Sequence, residues 1–138
     1  MKKIIIDTNW WISFILSKHS FGLPDFFLNE SIDFYFSNEL LQEIKTTLTY
    51  TKRKERINEI NLEQFFSFIE EFAVVVDTTS VVTICRDKKD NFLLALAKDA
   101  GADYLVSNDG DLLTIKKFET TEIVTLPQFL EIVNQQLL

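Results

Sequence analysis

Short apolar runs alternate along the chain with longer stretches in which apolar residues recur at helical spacing. Lys3 to Ile6 is a β-branched run ending in Asp7, the pattern of a buried strand, and Thr8 to Leu16 then carries a helical pattern. A second helix is predicted from about Gly22 to Asn29, followed by a strand at Asp33 to Phe36 and a helix from Asn38 to about Leu48, for which Ser37 is a good N-cap. Lys52 to Glu59 is charged and predicted helical. Leu62, Phe65, Phe66, Ile69 and Phe72 then form an i, i+3, i+4, i+7 stripe on a further helix, either core or partner interface. Ala73 to Val76 reads as a third strand. Asn91 to Ala97 is strongly helical up to Gly101, a fitting C-terminal stop. Tyr104 to Val106 and Glu122 to Val124 make a fourth and a fifth strand, and Pro127 to Leu137 closes with an amphipathic helix.

Strands that alternate with helices call for a mostly parallel sheet covered on both faces. The expected fold is therefore a three-layer α/β/α sandwich with about five strands, in one domain spanning 1–138. In such sheets the functional crevice lies beyond the carboxyl ends of the strands, where strand order reverses.

Composition agrees with one compact unit: 46% of the 138 residues are hydrophobic, and thirteen Phe supply a core. Three Gly and two Pro are too few for long linkers or an all-β fold with many tight turns. The apolar run after Lys2 and Lys3 ends at Asp7, too short for a secretory segment or a membrane span, so a cytoplasmic protein without membrane contact is expected. Cys85 is the sole cysteine, which excludes an internal disulfide or a cysteine-based zinc site and favours a buried thiol. His19 is the sole histidine, and nothing nearby supports a nucleophilic triad around it.

The candidate chemistry is acidic. Asp7 directly follows the first strand and Asp109 lies just after the fourth, so a parallel sheet puts both at one edge. Glu43 flanks the apolar stripe of Leu40, Leu41, Ile44 and Leu48, whereas Glu39 points further out. Asp90 continues the buried stripe of Leu93, Leu94 and Ala97 into the helix N-terminus, and Asp87 reads as the cap. Each acid taken singly has a plainer reading, as a turn former, a helix cap or a carboxylate whose head reaches water. Together they need compensation, since two such charges about 5 Å apart repel by about 3 kcal/mol at an effective dielectric near 20. Mg²⁺ or Mn²⁺ would remove that penalty, because hard cations take oxygen ligands and the chain lacks the His and Cys of a zinc site. Two such ions would activate water and stabilise the leaving oxygen of a phosphodiester.

A net charge of −7 argues against nucleic acid as a partner, yet two divalent ions would add about +4 locally. Lysines and arginines also cluster at Lys52, Arg53, Lys54 and Arg56, at Lys88 and Lys89, and at Lys116 and Lys117, although each cluster is readable as a solvated face.

At these residues the sequence resembles the PIN-domain family of metal-dependent ribonucleases, in particular its small bacterial toxin components of toxin-antitoxin systems. The resemblance spans essentially the whole chain: Ile4-Ile5-Ile6-Asp7-Thr8-Asn9 at the start, Glu43 within residues 37–44, Arg86-Asp87-Lys88-Lys89-Asp90-Asn91, and residues 102–113 around Ser107-Asn108-Asp109. It implies that Asp7, Glu43, Asp90 and Asp109 are the catalytic, metal-holding quartet for one or two Mg²⁺ or Mn²⁺ ions, with Asp111 as an accessory acid. Thr8, Asn9 and Ser107 would be the polar groups that touch or orient them. The family usually carries Thr-Gly-Asp where this chain has Ser107-Asn108-Asp109, a departure that keeps the hydroxyl and the carboxylate. The resemblance further implies an RNA substrate, a cognate antitoxin bound across the acidic groove or the Phe-rich helix at 62–72, and a homodimer.

Two alternatives share the pattern. A phosphatase of the haloacid dehalogenase type would use Asp7 as nucleophile, but it normally wants an aspartate where Asn9 stands, and an amide cannot move that proton. The other is a non-catalytic PIN-fold binding module. A response-regulator-like phosphoacceptor fits less well, for want of paired acids at the first strand.

Overall fold

The structure is a computed structural model that describes residues 2–16, 31–52, 57 and 59–137. The chain opens with β1 (Lys2–Ile6) and α1 (Thr8–Ile15), followed by β2 (Ile32–Phe36), α2 (Asn38–Lys52), α3 (Glu59–Phe72) and β3 (Ala73–Val75). An irregular segment leads to a 3-10 turn at Lys88–Asp90 that runs straight into α4 (Asn91–Ala100). β4 (Tyr104–Val106), α5 (Gly110–Leu113), β5 (Lys117–Phe118), β6 (Thr121–Val124) and α6 (Leu126–Leu137) complete it.

The strands form one six-stranded sheet in the order β3-β2-β1-β4-β6-β5, parallel except for the β5–β6 hairpin, with helices on both sides. The expected α/β architecture is what is found, with one strand more than the apolar pattern shows. That strand, β5, is two residues long, too short for an alternating signal, and its turn puts Glu119 at φ 55. The helix expected at 22–29, His19, and the basic positions Arg53, Lys54 and Arg56 lie outside the described residues.

Two departures concern helix limits and faces. α2 runs past Leu48 to Lys52, and α3 buries Asn61, Phe65 and Phe68, whereas Phe66 and Phe72 are 44% and 41% exposed. The expected stripe was therefore turned slightly about the helix axis. Asn61 explains the difference: its Nδ2 donates to the carbonyl of Ile15 at 3.2 Å, a group at the C-terminal end of α1 that has no partner within that helix. A polar residue on the buried face is invisible to an apolar pattern. Phe65 and Phe68 pack on Trp11, which also meets Phe14, Phe34 and Phe36, with ring centroids 5.3 to 6.0 Å apart.

This aromatic centre fixes α1 and α3 relative to β2. Register does the rest: Ile6 pairs with Val106 and Val106 with Val124, so the first residues beyond β1 and β4 emerge side by side. β2 and β3 extend from β1 on one side, β4, β6 and β5 on the other. The strand order thus reverses at β1 and β4, and the crevice expected of such a sheet opens where Asp7 and Ser107 stand.

Candidate metal centre

Asp7 sits at the N-cap position of α1, only 6% exposed, and its side chain makes no capping bond. Its carboxylate instead accepts the Ser107 hydroxyl at 2.7 Å, a contact that follows from the pairing of Ile6 with Val106 one step earlier. Ser107 Oγ in turn accepts the Asp109 N–H at 3.0 Å, and Asp109 Oδ1 accepts the Asp111 N–H at 2.9 Å. One hydroxyl therefore ties the acid after β1 to the turn after β4. Burial, with the nearby Asp109 charge adding to it, outweighs the Ser107 and Thr8 hydrogen bonds and raises the proton affinity of Asp7.

The 3-10 turn brings a second arm. Asp87 caps it by accepting the Lys89 N–H at 3.1 Å, and Asn91 Oδ1 accepts the N–H of buried Cys85 at 2.9 Å, pinning the segment before the turn. Asp90 occupies the N-cap position of α4 without a side-chain cap, in a turn that is 3-10 rather than regular α-helix. The result is a triad: Asp87, Asp90 and Asp109 each offer one carboxylate oxygen, all within 4.8 Å of one another. Asp90 Oδ2 is buried and has no hydrogen-bond partner among the described residues. Burial first, then contact with Asp109 and the charges of Asp109, Asp7 and Asp87, push the Asp90 carboxyl up to about 8.

Glu43 approaches from α2. It is exposed, accepts the Thr8 hydroxyl at 3.2 Å through Oε2, and has its proton affinity raised by desolvation and by the Asp7 charge against that bond. Glu39, further out, accepts the Thr78 hydroxyl at 3.2 Å.

The four acids singled out in the sequence thus face one region, but unequally. Asp90 and Asp109 meet directly, Asp7 is joined to the Asp109 turn through Ser107, and Glu43 reaches the group through Thr8. Asp111 contributes its backbone N–H, and exposed Asn9 takes part in none of these contacts. Asp87 is the residue that sequence reasoning passed over, since its capping role was legible and its second role was not; only its place three positions before Asp90 hinted at it. A cleft of about 480 Å³ lined by Lys116, Lys117, Glu122 and Gln128 shares no residue with the acids.

An all-oxygen donor set with an unpartnered buried carboxylate oxygen fits a hard divalent cation. The family comparison agrees with that chemistry, for the PIN-domain profile matches residues 3–111. The chain belongs to the PIN-domain family. The matched span runs from β1 into α5 and contains Asp7, Glu43, Asp87, Asp90, Asp109 and Asp111. An uncharacterised protein of Methanocaldococcus jannaschii is 28% identical over 119 residues, covering 83% of this chain and 75% of that protein. No solved structure shows a significant match. PIN domains are generally divalent-metal-dependent nucleases, and those nucleases act on RNA. With the family known, the phosphatase alternative loses its basis. No helix among the described residues is long and apolar enough to cross a membrane.

Proposed function

We propose that this PIN domain is a metal-dependent endoribonuclease, the toxin component of a toxin-antitoxin pair acting in the cytoplasm, with Asp7, Glu43, Asp90 and Asp109 as its catalytic acids and Asp87 beside them. The observation that carries this reading is the buried, unpartnered Oδ2 of Asp90 within the Asp87–Asp90–Asp109 triad. A carboxylate oxygen desolvated without a donor is costly, and a cation is the partner that its surroundings lack.

Mg²⁺ or Mn²⁺, one ion or two, would be held by Asp87, Asp90 and Asp109 with Asp7 alongside, and when bound supplies an activated water and charge stabilisation for phosphodiester hydrolysis. The chain's own groups do the positioning. Ser107 orients the Asp7 carboxylate and the Asp109 backbone together, and Thr8 holds Glu43. Asp111 stiffens the Asp109 turn through its N–H. Lys88 and Lys89, exposed on the 3-10 turn that carries Asp90, are placed to meet substrate phosphates despite the overall charge of −7.

The toxin assignment draws on the motif resemblance around Asp7, Glu43, Asp90 and Asp109. A protein partner, whether antitoxin or second copy, is supported by exposed Phe66 and Phe72 on α3 and by Val74 and Val75 on the adjoining edge strand.

The test is a cleavage assay on mixed RNA and single-stranded DNA in Mg²⁺, Mn²⁺ or EDTA, run beside Asp109→Asn. Cleavage of RNA that needs the metal and is lost in the variant is the expected result. Equal rates for both proteins, or full activity in EDTA, would overturn the reading.

A further inference from the structure

Beside the acids runs a groove of about 760 Å³ between the N-terminal half of α2 and the start of α4, within the size range of small-ligand sites. Asn38, Gln42 and Thr46 line one wall, Lys89 and Phe92 the other, and Glu43 stands where groove and acids meet. Phe92 is half-buried: it packs on the core and also borders the groove. It lies two positions after Asp90, so the segment that supplies a triad carboxylate also supplies the aromatic side chain.

The chemistry of the walls restricts what fits. Glu39 and Glu43 also line the groove, so a phosphate lodged among them would be repelled. A neutral, flat group escapes that repulsion and finds an aromatic side chain to stack on, with amides and a hydroxyl at its edge. Gln42 Nε2 donates to Thr46 Oγ1 at 3.4 Å, a long bond on an exposed face that a polar ligand edge could replace. Among the described residues, Lys89 is the one cation lining this groove.

We propose that this groove is a nucleobase subsite for single-stranded RNA, in which Phe92 stacks on an unpaired base near the scissile phosphate while Lys89 meets a backbone phosphate and Gln42 and Thr46 face the base edge. The inference rests on the nuclease reading and deepens it by assigning this groove and Phe92 to recognition of one base of the substrate, a base that has to be unpaired to enter. Phe92 is here a positioning residue, acting on binding and not on the reacting atoms.

The experiment is an anisotropy titration of a short, labelled single-stranded RNA of mixed sequence in Ca²⁺, with the oligonucleotide checked intact on a gel. Wild type, Phe92→Leu and Lys89→Gln are compared, the leucine preserving contact with the core. Phe92→Leu should bind about 10-fold more weakly. One abasic nucleotide, scanned along the strand, should weaken wild type by a similar factor at one position and leave Phe92→Leu unchanged there. Lys89→Gln should weaken all sequences alike and lower the salt slope by about 1. Binding of Phe92→Leu equal to wild type, or abasic penalties that multiply with it at every position, would overturn the subsite. A parallel Mg²⁺ cleavage assay separates the two claims: binding of the expected form without Asp109-dependent cleavage leaves the subsite standing and removes the nuclease.

Discussion

Ser107 donates its hydroxyl proton to Asp7 at 2.7 Å across a sequence separation of 100 residues, and the same oxygen receives the Asp109 N–H at 3.0 Å. The contact joins the ends of the two strands at which sheet order reverses. Removing it with Ser107→Ala should lower kcat/KM about 10-fold, as loss of an orienting partner does at metal centres, and Ser107→Thr should retain most activity. The Ser107 bond also lowers the proton affinity of Asp7, so its loss should shift the acid limb of the pH–rate profile to higher pH. An unchanged profile in Ser107→Ala would show that the bond is idle.

Asp87 offers a separate test, because its carboxylate both caps the 3-10 turn and belongs to the triad. In calorimetric titrations with Mn²⁺, Asp87→Asn should lose at least the roughly 10-fold in affinity that removal of even an outer partner costs. Wild-type affinity in Asp87→Asn would reduce the residue to a cap.

The pH dependence of stability in EDTA follows from Asp90. Its folded carboxyl is pushed up to about 8, above the ordinary 3.8, so between these values the unfolded chain releases a proton that the folded chain keeps. The contribution of Asp90 to stability is therefore fully present below about pH 4 and is lost as pH rises towards 8. Asp7 and Glu43, raised in the same direction, add to the trend. Thermal melts in EDTA should show a falling Tm across this window, a flatter curve for Asp90→Asn, and recovery at pH 8 on adding Mg²⁺. A Tm that rises from pH 5 to 8 would contradict the assignment.

Trp11 is fully buried among Phe14, Phe34, Phe36, Phe65 and Phe68, so Trp11→Ala should cost about 3 to 5 kcal/mol in urea denaturation. Phe66→Ala, on the exposed side of α3, should cost less than about 1 kcal/mol. Similar losses for both would return Phe66 to the core.

Several elements were legible because their signal is local. The β-branched run before Asp7, the helix from Asn91 to its stop at Gly101, which adopts φ 62, and the buried Cys85 all follow from residue type and period. Local pattern was weaker where a tertiary contact competed with it. Asn61 took a place on the buried face of α3 by satisfying a carbonyl of α1, and the rotation exposed Phe66 while burying Phe68.

By itself the sequence determined the alternation of strands and helices, and so a parallel sheet with Asp7 and Asp109 at one edge. Periodicity within an element is enough for that, because a side chain's face depends on its own few neighbours. Which acids meet was decided by the tertiary structure alone. Register set Ser107 against Asp7, and the 3-10 turn drew Asp87 in with Asp90 and Asp109 while leaving Asp90 Oδ2 without a donor. Those contacts depend on strand pairing and burial between distant segments, and no spacing along the chain encodes the desolvation they create.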